Sequence, residues 1–494
     1  MKKCHFPQMH GMVRFLCLAL VMLMLVTAVA SCSDEKTPPV DTGTDHQGTE
    51  QNTGDGYDPE AAPTPYLEDF GGYEFRVLTR GSGMWTSDDI SGDYMGSIIA
   101  QAAYNRNEYL GERYNFSVYE YKADDWVTTA RNTALAGGDE AYDMWSFKMN
   151  DMPSLAQEGL VYDLNTVSCM NIDAAYYDQS LRYQGTFANH LFFLTGDLLY
   201  QDDLATECVA FNATMFDELN LESAYSMDMY ELVDAGKWTL ATYTELARMT
   251  TVDKNGDGAM DNTDYWGFCY EPADILTLNI AAGNSLLQKD ADDIFVLNST
   301  EKQINDLQKI MGFLNSGYAV AGNWEDSVFT RNVQFTEICA VMDLATFDGE
   351  GLNFGVVPMP KIDEEQKNYN SFISTYGSNC ITICTTVQGE ELNKVANIID
   401  LLSYESRQSV SPQLNKYIFG AYVLQHAEDV RMLEVVFANR RYELCYLWST
   451  GGLYSSMISV CEAKGEGLAG VFDSSKGAVE ASVARKLERL QNLA

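Results

Sequence analysis

A chain of 494 residues exceeds one typical domain and suits two lobes of about 150–200 residues each. With 46% hydrophobic residues it builds a large core, which excludes a disordered protein. A formal net charge of −39 repels phosphate backbones and disfavours nucleic acid; it reads first as a solvated acidic surface, with an acid-lined site for a cationic ligand as the sharper alternative.

The first signal along the chain concerns export. Lys2, Lys3 and Arg14 precede an apolar run from Phe15 to Ala30, which is too short to span a membrane with its flanks and reads as a signal h-region. It ends in Val29-Ala30-Ser31-Cys32, and small residues before a cysteine resemble the lipobox of bacterial lipoproteins. By that resemblance residues 1–32 are a signal peptide whose Cys32 is lipidated, and two or more acyl chains give stable anchoring. Residues 33–66 are rich in Thr, Gly, Asp and Pro and read as a flexible acidic tether.

The folded body begins with alternation at Tyr73-Glu74-Phe75-Arg76-Val77-Leu78-Thr79, which predicts a strand. Ile98, Ile99, Ala102, Ala103, Tyr109 and Leu110 recur at helical spacing over 97–114, and 116–121 alternates again. Strand, helix, strand in this order predicts an α/β lobe with parallel pairing. Thr239 is placed to cap a helix over 240–250, with Thr242 and Glu245 as an alternative capping box. Thr300 and Gln303 are spaced as a capping pair for a helix over 301–315, and Leu392, Val395, Ile398, Ile399 and Leu402 predict one over 390–404. Extended runs are expected at 191–195, 338–344, 354–358 and 380–385.

Between these elements lies a loop with calcium-ligand spacing. Asp253, Asn255, Asp257, Ala259 (through its carbonyl), Asp261 and Asp264 fit an EF-hand loop, with Gly258 at the sharp turn and Asp in place of Glu at the last position. The expectation is one structural Ca²⁺, set against a polar turn without metal. The wording is similar to a dockerin loop, but a dockerin needs two copies and one is present. Eight cysteines after Cys32 are scattered, with no C-x-x-C and little histidine, so zinc is not expected and buried thiols are the simpler reading.

Four blocks in order carry a wider resemblance. They are Tyr142-Asp143-Met144-Trp145-Ser146-Phe147 followed by Gly159-Leu160-Val161-Tyr162-Asp163-Leu164; Phe192 to Asp197 followed by Val209-Ala210-Phe211-Asn212; Lys237-Trp238-Thr239 with Tyr243-Thr244-Glu245-Leu246; and Ile338 to Thr346 followed by Phe354-Gly355-Val356-Val357-Pro358-Met359-Pro360-Lys361. Together they resemble the bacterial family 1 extracellular solute-binding proteins, the sugar-binding components of ABC importers. The resemblance covers roughly residues 70 to 430. It implies an α/β, two-lobed, periplasmic-binding-protein-like (type II) fold with a hinge and an interlobe cleft. Lobe 1 would hold 67–187 plus 371–432, and lobe 2 188–370 plus 433–494. It further implies a monomeric binder rather than an enzyme, lipid-anchored on the extracellular face of the membrane, that passes a small ligand, most simply a carbohydrate, to permease subunits.

Sugars offer apolar faces to aromatic rings and hydroxyls to carboxylates, amides and Arg. On that basis the expected ligand residues are Arg80, Trp85, Trp145, Phe147, Asn150, Tyr200, Asp202, Phe347, Tyr376 and Trp448, each set against a role in core packing. Tyr200 and Asp202, with Asp203, lie near the second block. The alternatives are a lipid-anchored surface glycoside hydrolase and a surface adhesin. No nucleophile elbow, zinc-protease motif, P-loop or dinucleotide fingerprint is present.

Overall fold

A computed structural model describes residues 58–81, 89–137, 142–261, 263–321, 328–418 and 424–492. The expected signal peptide, Cys32, Trp85 and most of the tether lie outside the described residues. Asp58–Ala494 forms one compact unit.

The chain opens with β1 (Tyr73–Arg80), α1 (Ile98–Tyr114), β2 (Phe116–Ala123), α2 (Trp126–Ala136), β3 (Met144–Lys148) and the short α3 (Met152–Gln157). The Ser97 side chain accepts from the Ala100 amide and starts α1, and Asn115, in the left-handed region at φ 56°, ends it. β1 pairs in parallel with β2 on one side and with β3 on the other. β3 is therefore an inner strand, and its first four residues are all buried.

The chain then crosses to a second sheet. β4 (Glu207–Asn212) is followed by α4 (Leu240–Thr250), β5 (Trp266–Tyr270) and α5 (Asp274–Ala281). Next come a small hairpin, β6 (Leu287–Lys289) and β7 (Phe295–Leu297), and then α6 (Glu301–Leu314), β8 (Ala319–Ala321), β9 (Gln334–Ala340) and β10 (Phe354–Val357). Thr239 caps α4 through the Thr242 amide and Thr300 caps α6 through the Gln303 amide, as their spacing predicts. Gln303 does not reach back to complete the second box: its side-chain oxygen accepts from Asn298 instead. The five-stranded order is β10-β4-β9-β5-β8, with β5 parallel to β8 and β9, and β4 antiparallel to β9 and β10. The run expected to be extended over 338–344 stops at Ala340. Asp343 caps the exit by accepting from the Ala340 amide, and the chain turns into a helix at Leu344.

The return passes β11 (Ser371–Phe372) into β12 (Asn379–Ile383), which closes the first sheet antiparallel to β3 in the order β12-β3-β1-β2. Helix α7 (Glu390–Ser409) and then α8 (Ser411–Ile418) pack on α1. Helix α9 (Ala427–Ala438) packs on β10, so residues 427–432, expected with lobe 1, lie against the second sheet. β13 (Arg440–Arg441) pairs in parallel with β11, and α10 (Leu453–Glu462) and α11 (Leu468–Gln491) complete the chain. The stretch expected as a strand at 191–195 is irregular. It is tied to the first sheet by a bridge from Leu194 to Ile381.

None of the eight described cysteines is in a disulfide, and seven are buried. Cys208 and Cys339 face each other across β4 and β9 with sulfurs 3.9 Å apart. No helix among the described residues is long and apolar enough to cross a membrane.

Candidate functional site between two sheet edges

In an α/β sheet the carboxyl ends of parallel strands are free of crossover helices, so side chains there can converge on a ligand. At this edge of the first sheet stand Arg80 at the end of β1 and Lys148 at the end of β3. The segment leading into β12 stands beside them, because β12 runs the other way. The buried Arg80 guanidinium donates to the Tyr376 and Gly377 carbonyls at 3.4 and 3.1 Å. Burial lowers its pKa to about 10, against the pull of Asp151 and Asp89. The Lys148 ammonium sits 3.8 Å from the Tyr376 ring centre and 5.3 Å from that of Trp126. The Trp126 indole in turn donates to Asp151 at 2.9 Å.

The corresponding edge of the second sheet is acidic. Glu207 opens β4, paired with Ala340 at the end of β9. Asp343 follows that end, and Glu271 and Asp274 follow β5. All four are half-buried. Burial raises Glu207 well above the ordinary carboxylate range, and Asp274, Asp343 and Glu271 push it further. Burial also raises Asp274 to about 7, although its carboxylate accepts from the Glu271 amide.

Between the two edges stands a stacked aromatic pair, Tyr446 and Tyr454, with ring centres 4.1 Å apart and planes 14° from parallel. Both phenols are raised by burial. Tyr446 also feels Tyr376 and Asp151 of the first edge, and Tyr454 feels Glu271 and Asp274 of the second. The pair thus lies within electrostatic reach of both sheets. A ring stack, an exposed tyrosine under an ammonium and carboxylates on the facing edge can stack on an apolar face and bond its polar rim.

The chain passages that join the sheets are held by backbone and by one buried ion cluster. Thr206 bridges to Ile373, and the Ser374 amide donates to the Ala205 carbonyl. Arg440, on β13, faces Asp178 at 3.2 Å, Asp202 at 3.4 Å and Asp203.

The sequence-predicted ligand residues divide. Arg80 and Tyr376 come together at the cleft edge, and Tyr376 is 48% exposed. Trp145 and Phe147, two residues apart on one face of β3, are fully buried in the main hydrophobic core and stacked with ring centres 6.0 Å apart. Phe347 packs edge-on against Phe329 and Phe354. Trp448 is sealed among Phe187, Phe192, Phe193 and Phe295, and its indole donates to the Gly185 carbonyl. Asp202 faces Arg440, and Tyr200 is half-buried against the hydrophobic cluster that holds Cys208 and Cys339. Asn150 and Trp448 both line one further cavity. Sequence reasoning missed Trp126, Lys148, Glu207, Glu271, Asp274, Tyr446 and Tyr454. None carries a motif, and only the position of Lys148 and Glu271 just at or after a strand end was a usable signal.

In the 253–264 loop the acidic side chains serve the backbone. Asp253 accepts from the Gly256 and Gly258 amides, Asn255 from Asp257, and Asp257 from Ala259. Asp261 accepts from the Thr263 amide and hydroxyl, and buried Asp264 turns both oxygens to the amides of Lys254 and Asp261. Gly256 and Gly258 have φ of 74° and 83°, which favours glycine at both turns. Among the described residues no group of three or more His, Cys, Asp or Glu side chains is gathered to hold a metal.

No known family profile matches this sequence, and no curated relative matches it. Solved structures do. A family 1 extracellular solute-binding protein from Bifidobacterium longum subsp. infantis is similar with a TM-score of 0.53 at 12% identity, over 85% of this chain and 100% of that one. This chain has the fold of the family 1 solute-binding proteins. An ABC substrate-binding protein from Listeria monocytogenes in complex with cycloalternan is similar with a TM-score of 0.53 at 12% identity, over 83% and 99% of the two chains. UgpB from Mycobacterium tuberculosis in complex with glycerophosphocholine is similar with a TM-score of 0.54 at 14% identity, over 84% and 100%. The solute-binding fold accounts for the two sheets, the return of β12 to the first sheet and the facing carboxyl edges.

Proposed function

We propose that this chain is the solute-binding component of an ABC importer, that it captures a small polar ligand, most simply a carbohydrate, between the two sheet edges, and that it catalyses no reaction. The observation that carries the reading is the convergence of Tyr376, Tyr446 and Tyr454 with Arg80, Lys148 and the four carboxylates at the carboxyl edges of two sheets joined by narrow passages. A ligand held by both edges favours the closed arrangement by its differential contacts, which is the signal a permease would read. Cys32, by its lipobox, would tether the chain to the extracellular face of the membrane. The second reading is a cationic solute, supported by the raised Glu207 beside Glu271, Asp274 and Asp343. The 253–264 loop would add one structural Ca²⁺. Its spacing supports this, while its present hydrogen bonds require Asp253 and Asp264 to ligate with their remaining lone pairs.

A thermal-shift screen of the full chain against neutral sugars and polyamines tests the reading. A ligand at a hundred times its Kd adds about 2.7 kcal/mol. A sugar that stabilises without turnover supports the carbohydrate binder, and a polyamine supports the cationic reading. Hydrolysis of a glycoside would overturn both.

A further inference from the structure

A second cavity has a lining that shares no residue with the facing tyrosines and carboxylates, although Asn150 stands two residues after Lys148 and Trp448 two residues after Tyr446. α3 approaches the C-terminal helix α11, and between them lies a half-open cavity of about 260 Å³. Asn150, Ser154 and Gln157 line one side, and Arg485, Lys486 and Arg489 the other. No carboxylate lines it. In a chain with 71 acidic and 32 basic residues, three cations lining one cavity, one of them buried, call for an explanation.

Lys486 makes the case specific. Its side chain is only 6% exposed, and among the described residues its ammonium has one hydrogen-bond partner, the Ser482 hydroxyl at 2.9 Å. A buried ammonium ordinarily pairs with a carboxylate. Here Arg485 and Arg489 press on it, and burial with that repulsion lowers its pKa to about 8. Glu158, the carboxylate on which Arg489 acts, is already held at two points by Arg131, at 2.6 and 2.8 Å. The Asn150 side-chain oxygen is buried without a hydrogen-bond partner, and a half-turn of that amide would present a donor to the cavity instead.

We propose that this cavity binds an oxyanion, the phosphate or sulfate group of a small solute or the free ion. The anion would sit against Lys486, neutralise the repulsion among the three cations and fasten α11 to α3. Arginine forks and an ammonium suit such oxygens, and burial strengthens the contact with Lys486, while Arg485 and Arg489 meet the anion from the exposed side. The volume exceeds that of a bare phosphate and leaves room for part of an attached group.

The test is calorimetric titration of the full chain with inorganic phosphate and with sulfate, using chloride at matched ionic strength as the control. Phosphate is expected to bind where chloride does not. Lys486→Met is expected to weaken binding at least tenfold while its melting temperature without anion stays at or above that of the parent. The surface variant Arg485→Gln, which keeps the core intact, is expected to weaken it several-fold. A hexose phosphate binding tenfold more tightly than inorganic phosphate would assign the anion to an attached sugar, and equal affinity would assign it to the free ion. No binding beyond chloride, or unchanged affinity in both variants, overturns the proposal. A null result with neutral sugars bears on the cleft and leaves this site untouched.

Discussion

Arg440 offers the sharpest test of how the passages between the sheets are held. Its guanidinium faces Asp178, Asp202 and Asp203, and the first two carboxylates are 5% and 4% exposed. Replacing it by Met keeps the volume and removes the charge, leaving buried carboxylates without a counter-ion. Breaking a buried pair in this way costs about 3–5 kcal/mol. At about 2.1 cal/mol/K per residue, a body of this size loses about 0.9 kcal/mol per kelvin near its midpoint, so Tm falls by about 3–6 °C. The pH dependence adds a signature. Burial and Asp203 raise Asp202, and Arg440 lowers it, so the variant carboxylate is raised further. An acid whose folded pKa is raised takes up protons in the folded state, and its penalty is present above that pKa and relieved below it. The Arg440→Met variant should therefore regain part of its deficit between pH 7 and pH 5, more than the parent changes over the same range. Differential scanning calorimetry at both pH values measures this. A loss below about 1 kcal/mol, or the same loss at both pH values, would refute the counter-ion argument.

Glu207→Gln removes the carboxylate on which Asp274, Asp343 and Glu271 press, so stability at pH 7 should rise by about 1 kcal/mol. In urea melts the gain should shrink as pH falls below the raised pKa of the parent and vanish only in the ordinary carboxylate range. Gly196→Ala would set a Cβ 2.2 Å from the Tyr176 carbonyl oxygen and should cost about 1–3 kcal/mol, read as a lower urea midpoint at unchanged slope. Millimolar Ca²⁺ is expected to raise Tm by a degree or more, with reversal by chelator and loss in Asp253→Ala; identical melts with and without the ion would remove calcium from the loop.

What the sequence by itself determined about this protein is mainly local. Ser97, Thr239 and Thr300 cap helices because an N-cap side chain needs only the amide three residues on. The strand at 73–80 and the helix at 301–314 follow from periodicity for the same short-range reason. The turn residue Gly258 was legible as well, since it answers to its own backbone angle. Tertiary structure decided which aromatics face solvent. Trp145 and Phe147 sit on a strand where a ligand platform was expected, yet both rings are buried in a core whose other members reach as far along the chain as Trp448 and Val483. Tyr446 and Tyr454 carry no pattern that marks them, because their importance comes from stacking on each other between two sheets. Asp202 reads as a ligand carboxylate until Arg440 arrives beside it on β13. Burial, charge pairing and the convergence of edges depend on partners hundreds of residues apart, and no window of sequence contains them.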